Sequence, residues 1–161
     1  MSIAIISIIT IIMVLLDQLS KIWAVNVLRD GNQVIKIWDG VFHLHYLENR
    51  GAAWGIFSGK QYFLIGLTSI IIIGMIIYMF KMQDTPVRKW YRIAFILIIS
   101  GAIGNLIDRV CLGYVRDFLY FKLIDFPIFN IADVFVVCGV ILLMVVMLFI
   151  DKSSEHEKVG K

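Results

Sequence analysis

Charge is what this sequence has least of. Only 17% of its 161 residues are Asp, Glu, Lys or Arg, while 60% are hydrophobic and the mean hydropathy is +0.89. Soluble domains are charged over about a quarter of their residues, so the shortage excludes an ordinary soluble enzyme and points to an integral membrane protein forming one domain. Cysteine is almost missing as well. Cys111 and Cys138 stand alone with no metal-ligand spacing between them, which excludes a disulfide framework and a zinc site. The net charge of +3 is slight and the basic residues are scattered, so there is no nucleic-acid footprint. The opening apolar stretch lacks a basic n-region and therefore reads as a retained span rather than a cleaved signal peptide. Internal repeats and low-complexity segments are also lacking.

What is present is a series of long apolar runs. Met1 to Leu16 carries no charge, and the apolar character resumes after Asp17 as far as Leu28. A helix crossing the bilayer needs about 20 mostly apolar residues. On that measure the spacing predicts spans over roughly 2–28, 61–80, 91–110 and 131–150. Between the first two, over 29–58, the period shifts towards two. Gln33 to Trp38 and Val41 to Leu47 flank Asp39-Gly40, a turn pair that tolerates positive φ, and predict a β-hairpin. The expected fold is a membrane all-α bundle of four transmembrane helices with a small extramembrane β-hairpin, over 1–150, followed by a polar tail over 151–161. His43 and His45 fall on one face of the second strand; a metal site needs three or four ligands, so they read as surface residues.

Polar groups are concentrated against this background. Gly101 to Asp133 contains Asn105, Asp108, Arg109, Asp117, Asn130 and Asp133. Charged side chains near hydrocarbon are costly and usually face a protein interior or a water-filled cavity, which makes them functional by default. Four alternating crossings put the end of span one, the start of span two, the end of span three and the start of span four at one membrane face. Asp17, Lys21, Asn49, Arg50 and the Gly101–Asp133 stretch all collect there. Asp17 and Lys21 are spaced i,i+4 and can pair across one helix face, with closure of the bundle as the structural reading. Gly51 and Gly55 in the Glu48–Gly55 stretch allow close backbone approach, and Trp54 suits an interface. The basic residues divide eight to seven between the two faces, so the positive-inside rule gives no orientation.

Asp117, expected in a loop, and Asp133, expected at a helix start, can fold face to face. Two carboxylates close together in a poorly solvated place cannot easily both ionise, so one keeps a proton and the other accepts one from water. That is acid–base chemistry without a metal or covalent intermediate. The structural reading of Asp133 is a helix-terminal charge capped by Asn130. A small ion-coupled membrane transporter is the alternative from another class; paired repeats and broken helices would favour it, and neither is evident.

Asp17-Gln18-Leu19-Ser20-Lys21, Asn49 to Gly55, Gly104 to Arg109, Val115-Arg116-Asp117-Phe118 and Phe129 to Asp133 together resemble, in order, the sequence blocks of the bacterial lipoprotein signal peptidases, or signal peptidase II. One departure is Arg116, where a small or apolar residue is expected. The resemblance implies an aspartic endopeptidase that removes the signal peptide from diacylglyceryl-modified prolipoproteins, cutting before the lipidated cysteine. It implies catalytic roles for Asp117 and Asp133. It further implies substrate-binding roles for Asn49, Gly51, Asn105, Arg109, Asn130 and Ala132, and supporting roles for Asp17, Lys21 and Asp108. No metal or cofactor is implied. Expected partners are the lipid-modified precursor, membrane lipid and cyclic peptide inhibitors of the globomycin type. The implied location is the bacterial cytoplasmic membrane, multi-pass, with cytoplasmic termini and an extracytoplasmic β region and active site toward the outer leaflet.

Overall fold

The computed structural model describes residues 2–51, 57, 59–82 and 85–150. The expectations for Trp54, Gly55 and the 151–161 tail lie outside the described residues. Helix α1 runs Ile3–Ala24 and continues as a π-helical turn, Val25–Arg29. Helices α2, Gln61–Lys81, and α3, Pro86–Leu112, follow, and α4, Ile131–Val145, ends in a second π-helical turn, Val146–Ile150. All four are long and apolar enough to cross a membrane. Helices satisfy their own backbone hydrogen bonds, which is what a lipid solvent requires. The surface agrees: Ile3, Ile70 and Phe149 are 64–70% exposed, a pattern suited to hydrocarbon and ruinous in water.

Helix α3 is the hub. Half of its most apolar window is buried, against 11–17% for the other three, so α1, α2 and α4 are arranged around it. Ile72, Met79, Phe95, Ile96, Ile99 and Val146 form the core between α2, α3 and the end of α4. Close approach on the α1 side depends on Gly104: a Cβ there would lie 2.5 Å from Asp17 Oδ2. Small residues at such crossings let helix backbones draw together in membranes. The third span starts at Pro86, five residues before its expected start. Thr85 Oγ1 accepts the Arg88 N–H at 3.3 Å and caps it.

The extramembrane part is a three-stranded antiparallel sheet in the order β1 (Ile35–Trp38), β2 (Phe42–Asn49), β3 (Val115–Phe121). The hairpin forms where Asp39-Gly40 predicts it, but only Gly40 takes positive φ, at 74°, and the loop is three residues, with Trp38 opposite Phe42. The third strand is a correction to the loop expected around Asp117. Asp117 is in β3, opposite Leu47, and Arg116 is opposite Glu48. The sheet is fastened to the bundle by Phe118, which packs with Ala24 and Leu28 of the first span. His43 also departs from expectation: it is buried, and its ring and that of His45 both meet Tyr120 edge-on.

Candidate active site

The polar residues meet where the sheet joins the helices. Strand β3 delivers Asp117, 1% exposed, and the first turn of α4 delivers Asp133. Asn130 joins them. Its side-chain Nδ2 donates to Asp117 Oδ1 at 2.6 Å, and its backbone N–H donates to Asp133 Oδ2 at 3.1 Å. Its Oδ1 accepts the Asp133 N–H at 3.0 Å, completing a reciprocal capping box. One residue thus starts the helix and bridges both carboxylates; the cap and the site are the same structure.

Further amides hold each carboxylate from the far side. Asn49 of β2 donates Nδ2–H to Asp117 Oδ2 at 2.9 Å and accepts the Gly51 N–H on its Oδ1 at 3.0 Å. Asn105 of α3 donates to Asp133 Oδ1 at 2.7 Å, while its own Oδ1 accepts from Asn130 at 3.1 Å and from the Lys21 ammonium at 2.9 Å. Burial, and then the charge of Asp133, push the Asp117 carboxyl up to about 7, against the hydrogen bonds from Asn49 and Asn130. A carboxylic acid held near neutrality can give or take a proton at working pH.

Behind this layer is a buried ionic cluster. Lys21 Nζ is 2.8 Å from Asp17 Oδ2 and 3.5 Å from Asp108 Oδ2, with all three side chains inaccessible. Asp17 Oδ1 accepts the Ala132 N–H at 2.9 Å, tying α1 to the first turn of α4. Arg116 and Gln18, which the sequence does not mark as site residues, complete the cluster. Arg116 donates to both Asp108 oxygens and to Gln18 Oε1. Alternation along β3 turns Arg116 away from the face of Asp117, and no local spacing in the sequence marks either residue.

In front is an apolar cavity of about 570 Å³, lined by Asn49, Asn105, Arg109, Asp117 and Asp133 together with Phe121, Phe129 and Val137. Arg109 donates Nη2–H to Gly51 O at 3.3 Å, and its buried Nε has no hydrogen-bond partner among the described residues. Ala132 is fully buried and meets Asp17 through its backbone. Two carboxyl groups on the wall of an apolar cavity can hold and transfer a proton.

The profile of the family described as Signal peptidase (SPase) II matches residues 9–149. The chain belongs to the signal peptidase II family. Its similarity extends to a lipoprotein signal peptidase of Clostridium tetani, 48% identical over 153 residues and covering 93% of this chain and 94% of that one. A lipoprotein signal peptidase of Clostridioides difficile is 44% identical, over 91% of this chain and 96% of the other. A bacterial membrane enzyme structure obtained by the in meso method superimposes with a TM-score of 0.80 at 34% identity, covering 94% of this chain and 92% of its own. As a signal peptidase II family member with four apolar helices and a small sheet, the protein is a multi-pass membrane protease.

Proposed function

We propose that this protein is an aspartic endopeptidase that removes the signal peptide from diacylglyceryl-modified bacterial prolipoproteins, cutting before the lipidated cysteine. Residues 1–150 act as a single peptidase domain in the cytoplasmic membrane, with cytoplasmic termini and the site toward the outer leaflet. The observation that supports this most directly is the bridging of Asp117 and Asp133 by Asn130 beside an apolar cavity. The curated relatives' name, lipoprotein signal peptidase, supports the substrate class.

In this reading the pair shares one proton, and hydrolysis proceeds from the form that has it on Asp117. Asp133 takes a proton from a water molecule whose oxygen forms a bond to the scissile carbonyl carbon. Asp117 gives its proton to the carbonyl oxygen, producing a neutral tetrahedral diol. Collapse of that diol breaks the C–N bond: the leaving nitrogen receives the proton from Asp133, and a diol hydroxyl returns one to Asp117. Arg109 Nε, which has no hydrogen-bond partner among the described residues, is a donor suited to a substrate backbone carbonyl, and the cavity's apolar wall suits the precursor's lipid and hydrophobic segment. Membrane lipid and cyclic peptides of the globomycin type are further ligands for the same cavity.

The test is cleavage of a diacylglyceryl-modified precursor by purified protein beside an unmodified control. Asp117→Asn and Asp133→Asn should each lower turnover by at least about 1,000-fold, as removal of an acid–base partner does, while the wild type ignores the unmodified control. Turnover near wild type in either variant sinks the assignment.

A further inference from the structure

Arg116 occupies the position where the family resemblance leads to expect a small or apolar residue, yet its side chain makes three hydrogen bonds in the cluster behind the site. Its side chain is 12% exposed. The backbone N–H and Nε donate to Asp108 Oδ2 at 3.0 and 3.1 Å, and Nη2 donates to Asp108 Oδ1 at 2.6 Å and to Gln18 Oε1 at 2.8 Å. Gln18 in turn donates to Asp17 Oδ2, the Gly104 carbonyl and Asp108 Oδ1.

We propose that Arg116 is a positioning residue for the hydrolytic pair: by engaging Asp108 it sets β3 against α1 and α3, and it leaves the Lys21 ammonium available to orient Asn105. This rests on the reading of Asp117 and Asp133 as that pair.

Two arguments carry it. The first is mechanical. Arg116 is one peptide bond from Asp117, and its bonds reach α3 through Asp108 and α1 through Gln18, so the strand carrying Asp117 is fixed to both helices. A guanidinium can bond both carboxylate oxygens in one plane; an ammonium acts as a point charge and cannot. The second is electrostatic. The cluster holds two carboxylates, Asp17 and Asp108, and two cations, Lys21 and Arg116, and is neutral only with all four. Lys21 is close to Asp17 and Asn105 but 3.5 Å from Asp108. Remove the guanidinium and the buried Asp108 keeps only one cation, the Lys21 ammonium 3.5 Å away, which it draws toward itself. Asn105 then loses the contact that fixes its Oδ1, and with it the aim of the Nδ2 that bonds Asp133.

The charges around the pair are Asp17 and Lys21 from α1 and Asp108 and Arg109 from α3; Arg116, next to Asp117 on β3, and Glu48, opposite Arg116 on β2, lie on the other face of the strands. Lys21 favours the ionised form of Asp117. Its withdrawal moves proton loss from the pair to higher pH.

The experiment measures kcat, KM and the pH profile of cleavage per mole of folded full-length protein, for Arg116→Leu, Arg116→Lys, Arg116→Leu/Asp108→Asn and, in parallel, Asp117→Asn. Arg116→Leu should lose about 10- to 100-fold in kcat with KM within about two-fold, the signature of a misplaced catalytic group. Its upper pH limb should rise by about half a unit. Arg116→Lys should keep the limb and recover only part of the rate. The double variant, again neutral, should return the limb toward wild type. Wild-type kcat and an unmoved limb in Arg116→Leu, with Asp117→Asn inactive, overturn the inference while leaving the pair intact; an effect confined to the yield of folded protein does the same. If Arg116→Leu does not fold, full wild-type kcat in Arg116→Lys or a displaced limb in the double variant overturns it. Cleavage by Asp117→Asn instead overturns the underlying reading.

Discussion

Asp117 is under opposing demands. Two amides stabilise its charge, while burial and Asp133 resist that charge, and resistance prevails. The sign follows directly. The native carboxyl holds its proton up to about 7, whereas the unfolded chain releases it near 3.8, so between these values the folded state binds more protons. Stability from this group is therefore present at pH 5 and lost as pH rises through 7. The unfolding midpoint in detergent should fall between pH 5 and pH 8, and Asp117→Asn should flatten that slope. Asparagine there must aim its own N–H₂ at one of the donors of Asn49 or Asn130, so the variant is also less stable than wild type at pH 5, where aspartic acid is already neutral. Cleavage should decline above pH 7 as the acid is lost. A slope of opposite sign, or one that survives the substitution, would mean that Asp117 titrates elsewhere.

At the level of elements, the α1–α3 contact is the most constrained. Gly104 is covered by Asp17, whose carboxylate is held by Lys21, Gln18 and the Ala132 N–H and has nowhere to move. Gly104→Ala should lower stability by about 1–3 kcal/mol, the range for forcing a methyl into a filled site, read as a drop in the thermal midpoint; an unchanged midpoint would reveal slack between the helices. The same contact explains what was legible in the sequence. Asp17, Lys21, Asn105 and Asp108 announce themselves as charges and amides in apolar runs, and the hairpin announces itself through Asp39-Gly40. Strand β3 does not. Val115–Phe121 is a short stretch whose alternation is blurred by apolar residues on both faces, and it becomes a strand because β2 supplies its hydrogen-bonding partner. Arg116 and Gln18 were illegible as site residues for a related reason: their partners come from other elements, and no local spacing encodes the meeting. The early start of α3 was readable from the Thr85-Pro86 cap, but Arg88, Lys89 and Arg92 dilute the hydropathy there.

Over the whole molecule, the arrangement is that of a membrane protein with its polarity inside and its apolar residues outward. The sheet is tied to the same end of the bundle as both aspartates, because α1 leads into β1, α3 leads into β3, and α4 begins soon after β3. Orientation therefore reduces to one question, on which side the sheet lies, and the even split of basic charge leaves that open to measurement. The basic residues at the end of α2 and the start of α3 lie at the opposite end, where Arg88 stacks on Tyr91 and bonds Tyr78. With the site toward the outer leaflet, Lys36→Cys on β1 should react with a membrane-impermeant maleimide in intact cells. Lys89→Cys should react only after lysis, both in a Cys111→Ser/Cys138→Ser background that still cleaves precursor. The reverse pattern would put the carboxylate pair on the cytoplasmic side, out of reach of a precursor cut at the outer leaflet, and the proposed substrate would have to be abandoned even if the hydrolytic chemistry survived.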